Sequence, residues 1–115
     1  MIEKRKKRRF PASQMVTSIA NTPEGLISQV CFITDISVHG LQMRSKESLE
    51  PGTPVLSIVR FVNRDGAEDE SALFGIVSWV YPDDGAHHVG ITLDDPIDPV
   101  SDRGLLEHFM KRSFN

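Results

Sequence analysis

Six short runs of strand-forming residues, separated by dense turn signals and followed by a single helical stripe, set the limits on what this chain can fold into. Met15 to Ile19 reads as a first strand, and Asn21-Thr22-Pro23-Glu24-Gly25 as a turn. Leu26 to Ile36 then alternates: Leu26, Val30, Phe32 and Ile36 share one face and Ile27, Cys31 and Ile33 the other, which predicts a central strand covered on both sides. Leu41 to Arg44 is a short strand, Lys46 to Leu49 a helical turn, and Pro51-Gly52 a reversal. Val55 to Val62 and Ala72 to Tyr81 form a long hairpin joined through Asn63-Arg64-Asp65-Gly66 and the acidic Glu68 to Glu70. Pro82-Asp83-Asp84-Gly85 leads into a last strand, His88 to Leu93.

After two prolines in Asp94 to Pro99, Ser101 is placed to cap a helix whose stripe is Leu105, Leu106, Phe109 and Met110, ending near Lys111 and Arg112. Such a stripe packs on the body of a small protein, because short helices owe most of their stability to a buried face. The expected fold is all-β in the main: a six-stranded antiparallel barrel with a C-terminal α-helix. Closure removes the edges that an open sheet would expose.

The 115 residues and 39% apolar content suffice for one core without metals or disulfides. Cys31 is the one cysteine and lies between Val30 and Phe32, so a buried free thiol is expected, in keeping with the cytoplasm. The basic start runs into Phe10-Pro11-Ala12-Ser13-Gln14 instead of a long apolar segment, and no apolar run reaches the length of a bilayer span. Neither a secretory leader nor membrane insertion is expected.

The net charge of -3 conceals an asymmetry: residues 1–9 carry +5 and residues 10–115 carry -8. This divides the chain into a basic N-terminal arm over residues 1–12 and the barrel with its helix over 13–115. The arm points to an anionic ligand more than to a body lying along DNA; a solvated tail is the alternative. An acidic body repels a polyanion, and the strands show no paired aromatics for stacking bases, so nucleic acid is not an expected partner.

One segment departs from the alternation. Thr34-Asp35-Ile36-Ser37-Val38-His39-Gly40-Leu41 gathers a carboxylate, a hydroxyl, an imidazole and a glycine at a strand end. Asp35, Ser37 and His39 do not suit a catalytic triad, because alternate residues of one strand project in parallel, roughly 7 Å apart. Adjacent His87 and His88 point to opposite faces, which argues against a metal site with Asp83 and Asp84, and no phosphate-binding glycine loop precedes a helix. No enzymatic activity and no cofactor are expected.

Asp35-x-Ser37-x-x-Gly40, preceded by Arg8-Arg9-Phe10-Pro11, resembles the PilZ domain family, in which an R-x-x-x-R motif before the first strand is followed by [DN]-x-S-x-x-G at a strand end. Phe74 to Val80 and His88 to Leu93 are similar to the family's "G-x-V-x-W" and "V-G-V-x-F" strands. The resemblance extends from about Lys7 to Met110. It implies a six-stranded barrel and, in ligand-binding members, recognition of cyclic di-GMP. Arg8, Arg9, Arg5, Asp35, Ser37 and Gly40 are then the expected ligand residues. A guanidinium fork matches guanine O6 and N7, stacks on base planes and meets phosphate, while Asp35 suits the N1-H and N2-H donors. Ser37 offers a hydroxyl, and Gly40 lets the chain turn with no side chain in the way. The same residues also make a good turn, with Asp35 or Ser37 bonding nearby amides and Gly40 at positive φ.

The arm departs from the pattern. Where relatives read "RRFPR", this chain has Ala12 after Pro11; anchored on Pro11, the first arginine is Arg8 and the second is absent. Arg5-x-x-x-Arg9 has the right spacing but sits three residues early. Two functions are compatible with these residues: a cyclic di-GMP receptor that passes its signal to a protein partner, or an adaptor that binds a protein without the nucleotide.

Overall fold

The computed structural model describes the backbone of residues 9–98 and 100–113 and the side chains of residues 14–98 and 100–109. Arg5 and Arg8 lie outside the described residues. The elements run β1 (Arg9–Thr22), β2 (Gly25–Ser37), β3 (Gly40–Ser45), β4 (Pro54–Val62), β5 (Glu68–Asp83), β6 (Ala86–Leu93) and α1 (Arg103–Ser113). The strands close into an antiparallel barrel in the order β1-β2-β3-β6-β5-β4, with β4 returning to β1. β1 starts at Arg9, so the boundary drawn at residue 12 falls inside a strand that is paired with β2.

Alternation decides what fills the barrel. Val16, Ser18 and Ala20 of β1 point inward, as do Met43 of β3, Val55, Ser57 and Val59 of β4, Val77 of β5 and Val89 of β6. The lumen is narrow, so several inward positions are small. Ser18 and Ser57 meet hydroxyl to hydroxyl at 3.1 Å, and Ser18 also donates to the Met43 sulfur at 3.7 Å, which satisfies polar groups that would otherwise be costly to bury. Helix α1 packs on β1 and β4 and adds Leu105 and Phe109 to the core, while Leu49 enters it from the β3–β4 connection.

Several sequence expectations are corrected. Strand β2 is not covered on both sides: Leu26 and Val30 are exposed, because β2 belongs to a barrel with one buried face. Ile36 does not share their face but lies in the core. Lys46 to Leu49 form no helical turn; Ser45 instead donates its hydroxyl to the Glu47 carbonyl at 2.5 Å. Glu68 to Glu70 are strand, with Glu70 opposite Arg60. In the β5–β6 hairpin Pro82 and Asp83 remain strand, and the reversal is made by Asp84 and Gly85, both at positive φ, the conformation that tight hairpins demand. Ser101 is not the cap of α1. It lies in the preceding turn, where Asp98 accepts the Val100 N–H at 2.8 Å, and Asp102 leads directly into the helix, accepting the Leu106 N–H at 3.0 Å.

Candidate functional site

Two single-residue bulges build the site. In β2 opposite β3, Ile33 pairs with Met43 and Asp35 with Gln42, which leaves Thr34 unopposed. Because side chains alternate with a period of two, one extra residue exchanges the faces of everything beyond it. Cys31 and Ile33 point inward; unbroken alternation would send Asp35 inward next. With Thr34 inserted, Ile36 takes the core position and Asp35 turns to the outside.

The same device recurs in β5. Val77 pairs with Ile91 and Trp79 with Gly90, so Ser78 is the extra residue. Val77 lies in the core, Val80 packs against it, and Trp79 is released to the outer surface, where it stacks on Tyr81 with ring centroids 5.3 Å apart. His88 meets the indole edge-on at 5.6 Å. The Ser78 and Thr92 hydroxyls are hydrogen-bonded to each other.

Both released segments face one cleft of about 300 Å³. Asp35, Ser37, His39 and Gly40 form one wall and Ser78, Trp79, Gly90 and Thr92 the other, with Gln42 between. Its shape depends on two glycines. A Cβ on Gly40 would lie 2.6 Å from the Ile91 carbonyl oxygen, and one on Gly90 would run into the indole of Trp79. Gly40 is therefore needed for close approach of β3 to β6, and not for the left-handed conformation expected of it, since its φ is not positive. Ser37 donates its hydroxyl to the Gly40 carbonyl at 3.3 Å, and the turn between them is tied to the end of β6 by Leu93 N–H to His39 O at 2.9 Å and to the segment after β6 by Ile97 N–H to Val38 O at 2.7 Å.

Of the expected ligand residues, the fold brings Asp35, Ser37 and Gly40 to this cleft. The β1–β2 register sets the backbone of Arg9 opposite Ser37 and that of Pro11 opposite Asp35, so the basic arm enters the fold beside the cleft. Ala12 falls in the irregular stretch of β1 between Pro11 and Gln14. Among its described lining residues the cleft holds the Asp35 carboxylate and no lysine or arginine. Chemically, Asp35, Ser37 and Gln42 offer hydrogen-bonding groups and Trp79 an aromatic side chain.

Sequence alone does not mark Trp79, Gly90, Ser78, Thr92 and Gln42 as cleft residues. The signal lay in the "G-x-V-x-W" and "V-G" strands, but only as pairing; that the tryptophan points outward depends on the bulge. Among the described residues no group of His, Cys, Asp or Glu is arranged to hold a metal ion, and no helix is long and apolar enough to cross a membrane.

Solved structures share this fold at low identity. The Bacillus subtilis inhibitor of motility, MotI/DgrA, superposes with a TM-score of 0.69 at 17% identity, over 99% of this chain and 53% of its own. The PilZ domain of Escherichia coli YcgR, solved with c-di-GMP, gives 0.67 at 13%, over 95% of this chain and 91% of its own. The K. pneumonia MrkH–c-di-GMP complex gives 0.64 at 12%, over 97% and 52%. This chain therefore spans about half the length of MotI and of MrkH. No curated protein sequence matches it. The family model for the PilZ domain matches residues 3–112, which is nearly the whole sequence, and the chain belongs to that family.

Proposed function

We propose that this domain is a non-enzymatic receptor for cyclic di-GMP that passes the signal to a protein partner in the bacterial cytoplasm. The observation that carries this reading is the convergence of the Thr34 bulge and the β1–β2 register: one turns Asp35 into the cleft, the other brings the arm at Arg9 alongside Ser37. Asp35 accepts the N1-H and N2-H donors of a guanine, and Arg8, Arg9 or Arg5 supply the fork for O6 and N7 and the charge for the phosphates. Ser37 holds the turn closed through Gly40 and presents its oxygen to the ligand side. The YcgR and MrkH structures, solved with c-di-GMP, support this reading by fold, and the MotI name makes motility one process to test.

A second reading is favoured by Ala12. It stands beside the Asp35 pairing, where relatives carry the second arginine, and loss of one bidentate arginine costs about 1–3 kcal/mol, or roughly tenfold to a hundredfold in affinity. On that reading the chain is an adaptor that acts by protein contact alone. Isothermal titration with cyclic di-GMP at physiological salt, with GTP as control and Ala12→Arg beside the wild type, separates the two. Selective low-micromolar binding by the wild type supports the receptor. A silent wild type with binding restored in Ala12→Arg supports the adaptor, and silence in both rejects the site.

A further inference from the structure

Away from the cleft, the outer surface of β2, β1, β4 and β5 is apolar across aligned rows. The register places Val30, Thr17, Ile58 and Ala72 in one row and Ser28, Ile19, Leu56 and Phe74 in the next. Met15 and Phe32 extend the face on one side, and Leu26, Pro54 and Ile76 on the other. These are not marginal exposures: Met15 is 66% exposed, Val30 61% and Phe74 50%. With strands about 4.8 Å apart and rows about 6.8 Å apart, the face is on the order of 400 Å². That is the scale at which an exposed apolar patch marks an interaction site, and about half of one partner's share of a standard interface.

The charges around it indicate what it fits. Within these rows the charged outward positions are Arg60 and Glu70, at the margin and paired with each other at 3.3 Å. Beyond Glu70 come Asp69 and Glu68. At the opposite margin Glu24 and Glu50 line one groove with Asn21 and Pro54, and on the β5 side Asp94 is bonded through its N–H to the Phe74 carbonyl. On the fourth side the charges are mixed: Arg44, the register partner of Phe32 and ion-paired with Asp83, lies there with Lys46 and Glu47, the Glu47 N–H on Gln29. The rim is thus acidic on three sides. A second copy would set this rim against its own like, which disfavours self-association through the face.

We propose that this face docks a protein partner presenting an apolar segment flanked by lysine or arginine. The apolar rows supply the desolvated centre and the acidic rim selects the partner's charge. The face adjoins the cleft where Ile76 pairs with Thr92 but contains none of the cleft's lining residues, so the proposal stands whether or not the chain binds cyclic di-GMP.

The test uses the full ¹⁵N-labelled chain, a synthetic amphipathic peptide of leucine and lysine, and a length-matched peptide of leucine and glutamate. The expected result is saturable binding of the leucine–lysine peptide with amide shifts centred on Thr17, Val30 and Phe74, and about tenfold or greater weakening in Phe74→Lys. Should Phe74→Lys lose its dispersed spectrum, Glu24→Lys with Glu50→Lys decides, since these exposed positions keep the fold and should weaken the same peptide. Equal binding of the two peptides, shifts centred on Trp79 instead, no binding, or self-association of the wild type that Phe74→Lys abolishes would each overturn the proposal.

Discussion

The indole of Trp79 occupies the space over Gly90: a Cβ added to the glycine would lie 2.2 Å from Cε2 of the ring. The two residues are direct partners in the β5–β6 register, and the Ser78 bulge is what turns the tryptophan to this side. Gly90→Ala must therefore displace the ring or separate the strands. We expect a loss of about 1–3 kcal/mol in urea unfolding, of the kind overpacking causes, together with a red shift in emission. Trp79 is the chain's one tryptophan, so fluorescence reports the site directly.

Asp35 lines the cleft from a position created by the Thr34 bulge, and its replacement leaves the inward-facing core untouched. Asp35→Ala should leave the melting temperature within a few degrees of wild type. In the receptor reading, it should weaken cyclic di-GMP binding at least about tenfold, since hydrogen bonds to a charged group contribute about 1.5–3 kcal/mol. Titration calorimetry of the variant checks this, and undiminished affinity would remove Asp35 from the ligand.

Phe109 is fully buried where α1 meets the barrel, and its neighbour His108 hydrogen-bonds the Gln14 side chain at 2.6 Å. Phe109→Ala removes the largest buried side chain of the helix and should cost about 3–5 kcal/mol. Chemical denaturation followed by circular dichroism measures it. A cost below about 1 kcal/mol would show that the helix is an accessory to the barrel instead of part of its core.

Cys31 is 2% exposed, and burial pushes its thiol above the ordinary value near 9.0, against a smaller opposing effect of hydrogen bonds from Ser18 and Ser45. Well below pH 9 the thiol is protonated in both the folded and unfolded states and contributes no pH dependence. Above it the unfolded chain ionises first, so stability falls as pH rises toward the folded value. The difference in unfolding free energy between wild type and Cys31→Ala should be flat to about pH 8 and then change in favour of the variant. A flat difference to pH 11 would contradict it.

Much of this architecture was legible as periodicity. Val55 to Val62 and Ala72 to Tyr81 are readable as a hairpin because their inward Val55, Val59 and Val77 recur with the period of a strand, and the stripe of Leu105 and Phe109 because it recurs with that of a helix. Local sequence misleads at Lys46 to Leu49 and at the helix start because propensity is weak and tertiary pairing overrides it. The short β3 is held by its hydrogen-bonded neighbours β2 and β6, and the residues after it take no helical form of their own. The coverage of β2 is illegible for a related reason. An apolar outer row such as Leu26 and Val30 looks the same in sequence whether another layer, a partner or water lies against it.

Periodicity and turn chemistry are local properties, and they suffice to specify a small antiparallel barrel with a terminal helix, while the resemblance to the PilZ pattern singles out Asp35, Ser37 and Gly40 as motif residues. Where those residues point depends on pairing between strands. A bulge is one unpaired residue, visible only when a strand is laid against its neighbour, and a single one at Thr34 or Ser78 exchanges every face beyond it. The cleft between Asp35 and Trp79 exists because two such shifts, in strands far apart in the chain, deliver their side chains to the same outer surface.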